Sequence, residues 1–196
     1  MTTISVVKKN GEIAIAADTL TKWGSGKESA KYIVNSGKII RVDDNFIAVT
    51  GNATFKLILK EYFLDAAHSS SMSSVDEIFK TWNKLHAKLK EKYFLMPEED
   101  KEDAIESSRM DVLIANQYGI FGVSGHRTVQ EFSQFYAYGS GSDYALGALW
   151  SNYDLPELSA EAVARNSIQA AAEFDDGTGL PVDSFIKRFH IEESWL

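Results

Sequence analysis

The chain has 196 residues, no cysteine and a formal net charge of −8 at pH 7. This length suits a single domain with a sizeable core, and the missing cysteines exclude disulfides, thiolate zinc sites and a cysteine nucleophile. The negative charge argues against a nucleic-acid surface, and no apolar run approaches the roughly 20 residues of a membrane helix. We therefore expect one cytoplasmic domain that binds neither nucleic acid nor membrane.

The first part of the chain has the pattern of β-strands. Apolar runs at Ile4–Lys8 and Ile13–Ala17 flank Asn10-Gly11, a pair that favours a tight hairpin turn. A second pair of runs occupies Lys38–Val42 and Phe46–Thr50. We predict two strand pairs before any helix.

The period then changes to that of amphipathic helices. Asn52 is placed to cap a first helix, and Ser74 with Glu77 forms a capping-box pattern before a second. Apolar side chains recur on one face of each helix: Phe55, Leu59, Tyr62, Phe63 and Ala66 in the first, and Val75, Ile78, Phe79, Trp82, Leu85 and Leu89 in the second. Both faces are interpreted as core.

Pro97 ends the helical region, and the acidic segment Glu98–Asp103 is predicted to be an exposed connection. Strand patterns then return at Asp111–Asn116, Gly119–Ser124, Thr128–Phe132 and Phe135–Tyr138.

Two more helices and a strand complete the predicted order. Ser142 or Asp143 is placed to cap a helix over Tyr144–Trp150, another runs from Ser159 towards Glu173, and the last strand is Val182–Phe189. Strands, two helices, strands, two helices and a strand fit two stacked sheets with helices outside.

Metal and cofactor motifs are missing from the sequence. The histidines, His68, His86, His126 and His190, form no metal-ligand pattern, and Gly139-Ser140-Gly141-Ser142-Asp143 lacks the lysine and spacing of a phosphate-binding loop. We expect neither a metal nor a cofactor.

The start of the chain carries the strongest chemical signal. If Met1 is removed, Thr2 carries a hydroxyl nucleophile and an amine base on one residue. The second strand of a short hairpin returns to the start of the first, so Asp18 falls close to Thr2. Asp18 then has two interpretations: it bonds the backbone amides at its strand end, or it holds a lysine.

A lysine there would lower the pKa of the Thr2 hydroxyl and keep the amine neutral. Lys38 is the favoured partner, with Lys31 and Lys27 as alternatives.

These residues resemble the proteolytic β subunits of proteasomes and their bacterial relative HslV, which are N-terminal nucleophile (Ntn) hydrolases. Met1-Thr2-Thr3-Ile4-Ser5-Val6 is similar to the HslV start, and Ile15-Ala16-Ala17-Asp18-Thr19 is closer to proteasome β subunits. The resemblance implies an α+β fold, a four-layer α-β-β-α sandwich of two mainly antiparallel sheets, over one peptidase domain at 1–196.

The resemblance also implies roles for individual residues. The implied catalytic positions are the nucleophile Thr2, the strand-end acid Asp18, the lysine Lys38, the oxyanion glycine Gly51, and a cluster of Ser140, Asp175 and Thr178. Thr21, Val49 and Ala53 match positions that line the substrate pocket, which implies apolar specificity. The chain departs from the family pattern in its longer loop between Asp18 and Lys38, in Thr178 where serine is usual, and in Leu180-Pro181.

The implied function is that of a threonine-type endopeptidase subunit of a self-compartmentalising ring protease, which hydrolyses unfolded polypeptides through an ester on Thr2. The expected partners are further copies of the chain, in stacked rings of six or seven subunits, and an AAA+ ATPase that unfolds substrate. Two alternatives stay open: a ring subunit without catalytic activity, and an Ntn amidase that acts on small amides. Trp195-Leu196 has two interpretations, a tail contact or a disordered terminus.

Overall fold

The computed structural model describes residues 1–65, 71–97 and 103–189. Predictions that fall on Ala66, His68, most of the acidic segment at 98–102, and the tail from His190 to Leu196 lie outside the described residues. No helix in the described ranges is long and apolar enough to cross a membrane.

The strands are β1 (Thr3–Lys9), β2 (Glu12–Ala17), β3 (Thr21–Trp23), β4 (Gly26–Glu28), β5 (Ile39–Val42), β6 (Asn45–Val49), β7 (Val112–Asn116), β8 (Gly119–Val123), β9 (Val129–Phe132), β10 (Phe135–Gly139) and β11 (Asp183–Arg188). The helices are α1 (Phe55–Leu64), α2 (Val75–Glu91), α3 (Ser142–Asn152) and α4 (Ala160–Phe174).

Two antiparallel sheets form the centre of the molecule. One has the order β10-β1-β2-β11 and the other the order β5-β6-β7-β8-β9. The apolar core lies in three clusters: between α1, α2 and the five-stranded sheet, between the two sheets, and between the four-stranded sheet and α3 and α4. The four-layer α-β-β-α fold is therefore confirmed.

Alternation along β1 and β2 explains this layering. Ile4 and Val6 face the other sheet, whereas Val7, Ala14 and Ala16 face the helices. Because successive strand residues point to opposite faces, a strand covered on both sides buries residues of both faces: β2 is apolar from Ile13 to Ala17, and the buried polar Thr3 and Ser5 of β1 are hydrogen-bonded. Small side chains on the helix side allow α4 to pack closely.

The predicted hairpins are present. Asn10 and Gly11 have φ of 51° and 74°, which the turn between β1 and β2 requires, and Ile4 pairs with Ala17 across it. The sequence patterns did not predict β3 and β4, a short hairpin in the long loop before Lys38. Most of its residues are polar or exposed, so hydrophobic alternation gives no signal for it.

The helix caps differ in part from the predictions. Ser74 Oγ accepts from Glu77 N, and Ser159 Oγ from Ala162 N, as N-caps do. Asn52 instead accepts from Thr54 N in a turn, and α1 begins at Phe55. The prediction that Ser142 or Asp143 caps α3 was wrong, because the N-cap is Gly141, which has no side chain to accept from the first turn.

One core prediction on α2 was also wrong. Phe79 is 49% exposed, whereas Ile78 and Trp82 are buried. The buried stripe of α2 follows Ile78, Trp82, Leu85 and Leu89, and Phe79 lies outside it because neighbouring helix residues are about 100° apart.

Candidate active site

The ends of three strands bring the candidate residues together. Thr2 precedes β1, Asp18 follows β2, and Gly51 lies two residues after β6. Asp18 N donates to Thr3 O at 3.1 Å, which extends the β1–β2 ladder to this end of the sheet. Thr2 is 5% exposed and Asp18 is fully buried.

Asp18 is held by four donors. Its Oδ1 accepts from Thr3 N at 3.1 Å and from Lys38 Nζ at 2.8 Å. Its Oδ2 accepts from Leu20 N at 3.2 Å and from Gly179 N at 3.0 Å. Asp18 therefore fulfils both interpretations of its sequence position, since it bonds backbone amides and holds a lysine.

Lys38 is the lysine at this site. Its ammonium donates to Asp18 Oδ1 and, over a distance of 2.6 Å, to Leu20 O. Lys38 lines the same pocket as Thr2 and Gly51. Burial lowers the pKa of Lys38, and the Asp18 carboxylate opposes that effect. The alternatives lie elsewhere: Lys27 contacts Asp176 at 3.8 Å, and Lys31 packs over the ring of Tyr32.

Gly51 occupies a position that excludes a side chain. Its φ is +109°, and a Cβ there would lie 2.8 Å from Arg109 O and 3.1 Å from the Phe55 ring. Glycine adopts this backbone conformation without steric cost. Gly51 also lines the pocket beside Thr2, where a backbone N–H is the kind of donor that stabilises an oxyanion.

Ser140, Asp175 and Thr178 form a second polar group beside the first. Ser140 Oγ and Thr178 Oγ1 each donate to Asp175 Oδ2 at 2.6 Å. Desolvation by burial raises the pKa of Asp175, but these two bonds and one from the Gly177 N–H together outweigh it, so the pKa lies below its usual value. Ser140 N donates to Thr2 O at 2.9 Å, which ties this group to Thr2.

Thr3 extends this group, and no sequence pattern singled it out. Gly141 N donates to Thr3 Oγ1 at 3.0 Å, and the hydroxyls of Thr3 and Thr178 lie 2.6 Å apart. Since Thr178 uses its only proton on Asp175, Thr3 donates to Thr178. A directed chain of hydrogen bonds therefore runs from the start of α3 to the Asp175 carboxylate.

Met1 lies over the site in this structure. The Thr2 hydroxyl donates to Met1 O at 2.6 Å, and a Cβ on Gly177 would lie 2.5 Å from the Met1 Cβ. With Met1 attached, the nitrogen of Thr2 is an amide, which is not basic. Removal of Met1 would expose a free amine in the place where the chain now continues.

A pocket opens next to Thr2. It encloses about 540 Å³, part of which is open to solvent. Thr21, Val49 and Ala53, the predicted substrate-binding residues, all lie in its wall, together with Met1, Thr2, Leu20, Lys22, Trp23, Lys38, Gly51, Asn52 and Lys56. The structure thus places the nucleophile candidate, the lysine and the pocket side by side.

Comparisons with known proteins agree with this geometry. The family model described as "Proteasome subunit" matches residues 1–185. The solved structure of Thiobacillus denitrificans BPH is 61% identical, with a TM-score of 0.92, over 96% of this chain and 98% of that chain. The same protein in complex with epoxomicin is 59% identical over 96% of this chain and 100% of that chain, with a TM-score of 0.91.

Relatives of lower sequence identity are named HslV. The ATP-dependent protease subunit HslV of Bartonella quintana (strain Toulouse) is 26% identical over 174 residues, which cover 88% of this chain and 81% of that protein. The eukaryotic HslV from Trypanosoma brucei is 18% identical and covers 95% of this chain and 99% of that chain with a TM-score of 0.64, a likeness of fold.

Proposed function

Because this chain belongs to the proteasome subunit family, we propose that Thr2, once freed of Met1, is the nucleophile of its active site. The chain is a threonine peptidase and a subunit of a ring protease. The observation that carries the assignment to Thr2 is its position beside the buried Asp18–Lys38 pair, in the wall of one pocket with Gly51.

In the proposed reaction the Thr2 hydroxyl oxygen attacks the carbonyl carbon of the scissile peptide bond, and its proton passes to the Thr2 amine. The Lys38 ammonium, fixed by Asp18, favours the alkoxide and a neutral amine by its charge. The substrate C=O bond becomes a C–O⁻ that faces the Gly51 N–H. Loss of such a donor typically raises the barrier by about 2.7 to 4 kcal/mol.

Collapse of this tetrahedral intermediate breaks the C–N bond. The leaving amine takes the proton from the Thr2 ammonium, and the acyl group stays on Thr2 as an ester. Water then attacks the ester with the Thr2 amine as its base, and the second collapse restores the hydroxyl. Ser140 and Asp175 are proposed to orient the amine, since Ser140 N holds the Thr2 carbonyl.

We further propose that the substrates are unfolded polypeptides, cut inside stacked homo-oligomeric rings of six or seven subunits in the cytoplasm. A relative in the comparisons is named as an ATP-dependent protease subunit, and on that ground an ATPase is proposed as the partner that unfolds substrate. Native mass spectrometry of the purified assembly gives the ring size. Degradation of a folded protein with and without ATP and the ATPase tests the partner.

The nucleophile is tested by Thr2→Ala and Thr2→Ser, with Thr128→Ala as control because Thr128 is an exposed threonine. The intact mass of each variant first shows whether Met1 is absent. We expect Thr2→Ala to lose casein hydrolysis by at least roughly 1,000-fold and Thr2→Ser to keep measurable activity. Hydrolysis that survives in Thr2→Ala would refute the assignment, and activity towards small amides alone would favour the amidase.

A further inference from the structure

The pocket beside Thr2 is lined by three lysines, Lys22, Lys38 and Lys56, and by no aspartate or glutamate among the described residues. This contrasts with the whole chain, whose formal net charge is −8. A concave site that concentrates one sign of charge favours ligand groups of the opposite sign.

Two of these lysines already have carboxylate partners. Lys22 contacts Asp176, and Lys38 contacts Asp18 at 2.8 Å. Lys56 differs, since within the described ranges its ammonium donates to two backbone carbonyls. These are Asn35 O and Gly37 O, and the distance from Lys56 Nζ to Gly37 O is 2.9 Å.

The contacts of Lys56 fix the position of its ammonium and leave one N–H group available to a ligand. An ammonium has three N–H groups, and two are used by these carbonyls, so one remains for a ligand. The two bonds also hold the ammonium in position without neutralising its charge. Partial burial lowers the pKa of Lys56, and the more distant Asp183 carboxylate raises it.

Part of the pocket wall is apolar. Leu20, Val49 and Ala53 line it beside the polar Thr21 and Asn52, and Leu20 and Val49 are buried at 8% and 6% exposure. Lys56 and Ala53 also border an adjoining pocket that Glu28 lines. A wall with apolar side chains and a cation fits a ligand with methylene groups and a terminal carboxylate.

We propose that Lys56 makes this pocket select glutamate as the substrate residue whose carbonyl Thr2 attacks. The proposal rests on the proposed function of Thr2 and replaces a purely apolar specificity. The glutamate methylenes pack on Val49 and Ala53, and its carboxylate takes the remaining N–H of Lys56. Partial desolvation strengthens that bond relative to water, and the same charge disfavours lysine and arginine there.

The test compares peptides that differ only in the residue before a fluorogenic leaving group: glutamate, its isostere glutamine, leucine or arginine. For the unaltered enzyme we expect kcat/KM for glutamate to exceed that for glutamine by about tenfold or more, the size of a charge-assisted hydrogen bond. This comparison needs no variant, so it does not depend on how a variant folds. A ratio near one, or a preference for arginine, would overturn the proposal.

Three variants assign the preference to Lys56. Lys56→Gln should bring the glutamate-to-glutamine ratio close to one, and Lys56→Arg should keep most of it. Lys60→Gln, which alters an exposed lysine four residues further along α1, should leave the ratio unchanged. A ratio retained in Lys56→Gln would mean that Lys56 only anchors the segment that contains Asn35 and Gly37.

Failure of this inference and failure of the proposed function give different results. If the enzyme with a free Thr2 cleaves the leucine peptide but not the glutamate peptide, the specificity assignment alone is wrong. If it cleaves none of the peptides and no unfolded protein, both are wrong.

Discussion

The Asp18–Lys38 pair predicts an asymmetry between stability and activity. Lys38→Met removes one partner of Asp18 but leaves the backbone N–H groups of Thr3, Leu20 and Gly179 on the carboxylate. Asp18→Ala removes the acceptor of all three and leaves the Lys38 ammonium buried with Leu20 O alone. The two variants should therefore differ strongly in stability although both break the same ion pair.

The magnitudes follow from the number of groups left unpaired. A buried donor without a partner costs about 1–3 kcal/mol, so three of them with a stranded ammonium give about 5 kcal/mol or more for Asp18→Ala. Lys38→Met loses the charge-assisted bond to Asp18 and the bond to Leu20 O, together about 3 kcal/mol, while the methionine side chain keeps the packing of the lysine stem. For a chain of this size 1 kcal/mol lowers Tm by about 2–4 °C. We therefore expect Tm to fall by about 10–20 °C or more in Asp18→Ala and by about 6–12 °C in Lys38→Met.

The assay is thermal unfolding at one protomer concentration, with the assembly state of each variant checked by size-exclusion chromatography. Peptide hydrolysis should fall by at least roughly 100-fold in both variants, so activity and stability separate in Lys38→Met. Equal losses of Tm, or a larger loss in Lys38→Met, would refute the view that backbone amides stabilise the Asp18 carboxylate.

Two further predictions concern Thr3 and His86. Thr3→Val keeps the shape of the side chain but removes the hydroxyl that joins Gly141 N to Thr178. We expect kcat to fall about tenfold with little change in KM, and Thr3→Ser to restore kcat. A change in KM alone would contradict this role of the Thr3 hydroxyl. Burial lowers the pKa of His86 from its usual 6.5, against the opposing bond from Glu106. The unfolded chain therefore binds a proton more readily below pH 6.5, and stability should fall as pH decreases through 6.5 towards 5. Tm measured from pH 8 to pH 5 should drop less in His86→Gln than in the parent, and an equal drop would show that another group titrates.

Local sequence determined the secondary structure of this protein to a large extent. Asn10-Gly11 sets the first turn, because both residues accept positive φ, and the serines at 74 and 159 cap their helices through bonds to amides three residues away. Phe79 and the start of α1 were predicted wrongly, because the edge of a helical stripe and the first turn of a helix are decided by what packs on them.

The chemistry of an N-terminal threonine and the return of the first hairpin predicted Thr2, Asp18 and Lys38, whereas Gly51 and the cluster of Ser140, Asp175 and Thr178 were predicted only through the resemblance to a family. Tertiary structure decided which groups meet: Ser140 bonds Asp175 across 35 residues, and Thr3 bonds Thr178 across 175. It also decided that Lys56, one lysine among several on an amphipathic pattern, lines the pocket. The physical reason is the separation in sequence between interacting groups. The hydrogen bonds of turns and caps form between neighbours in sequence, whereas a buried charge finds its partners on distant strands and loops that the packed sheets bring beside it.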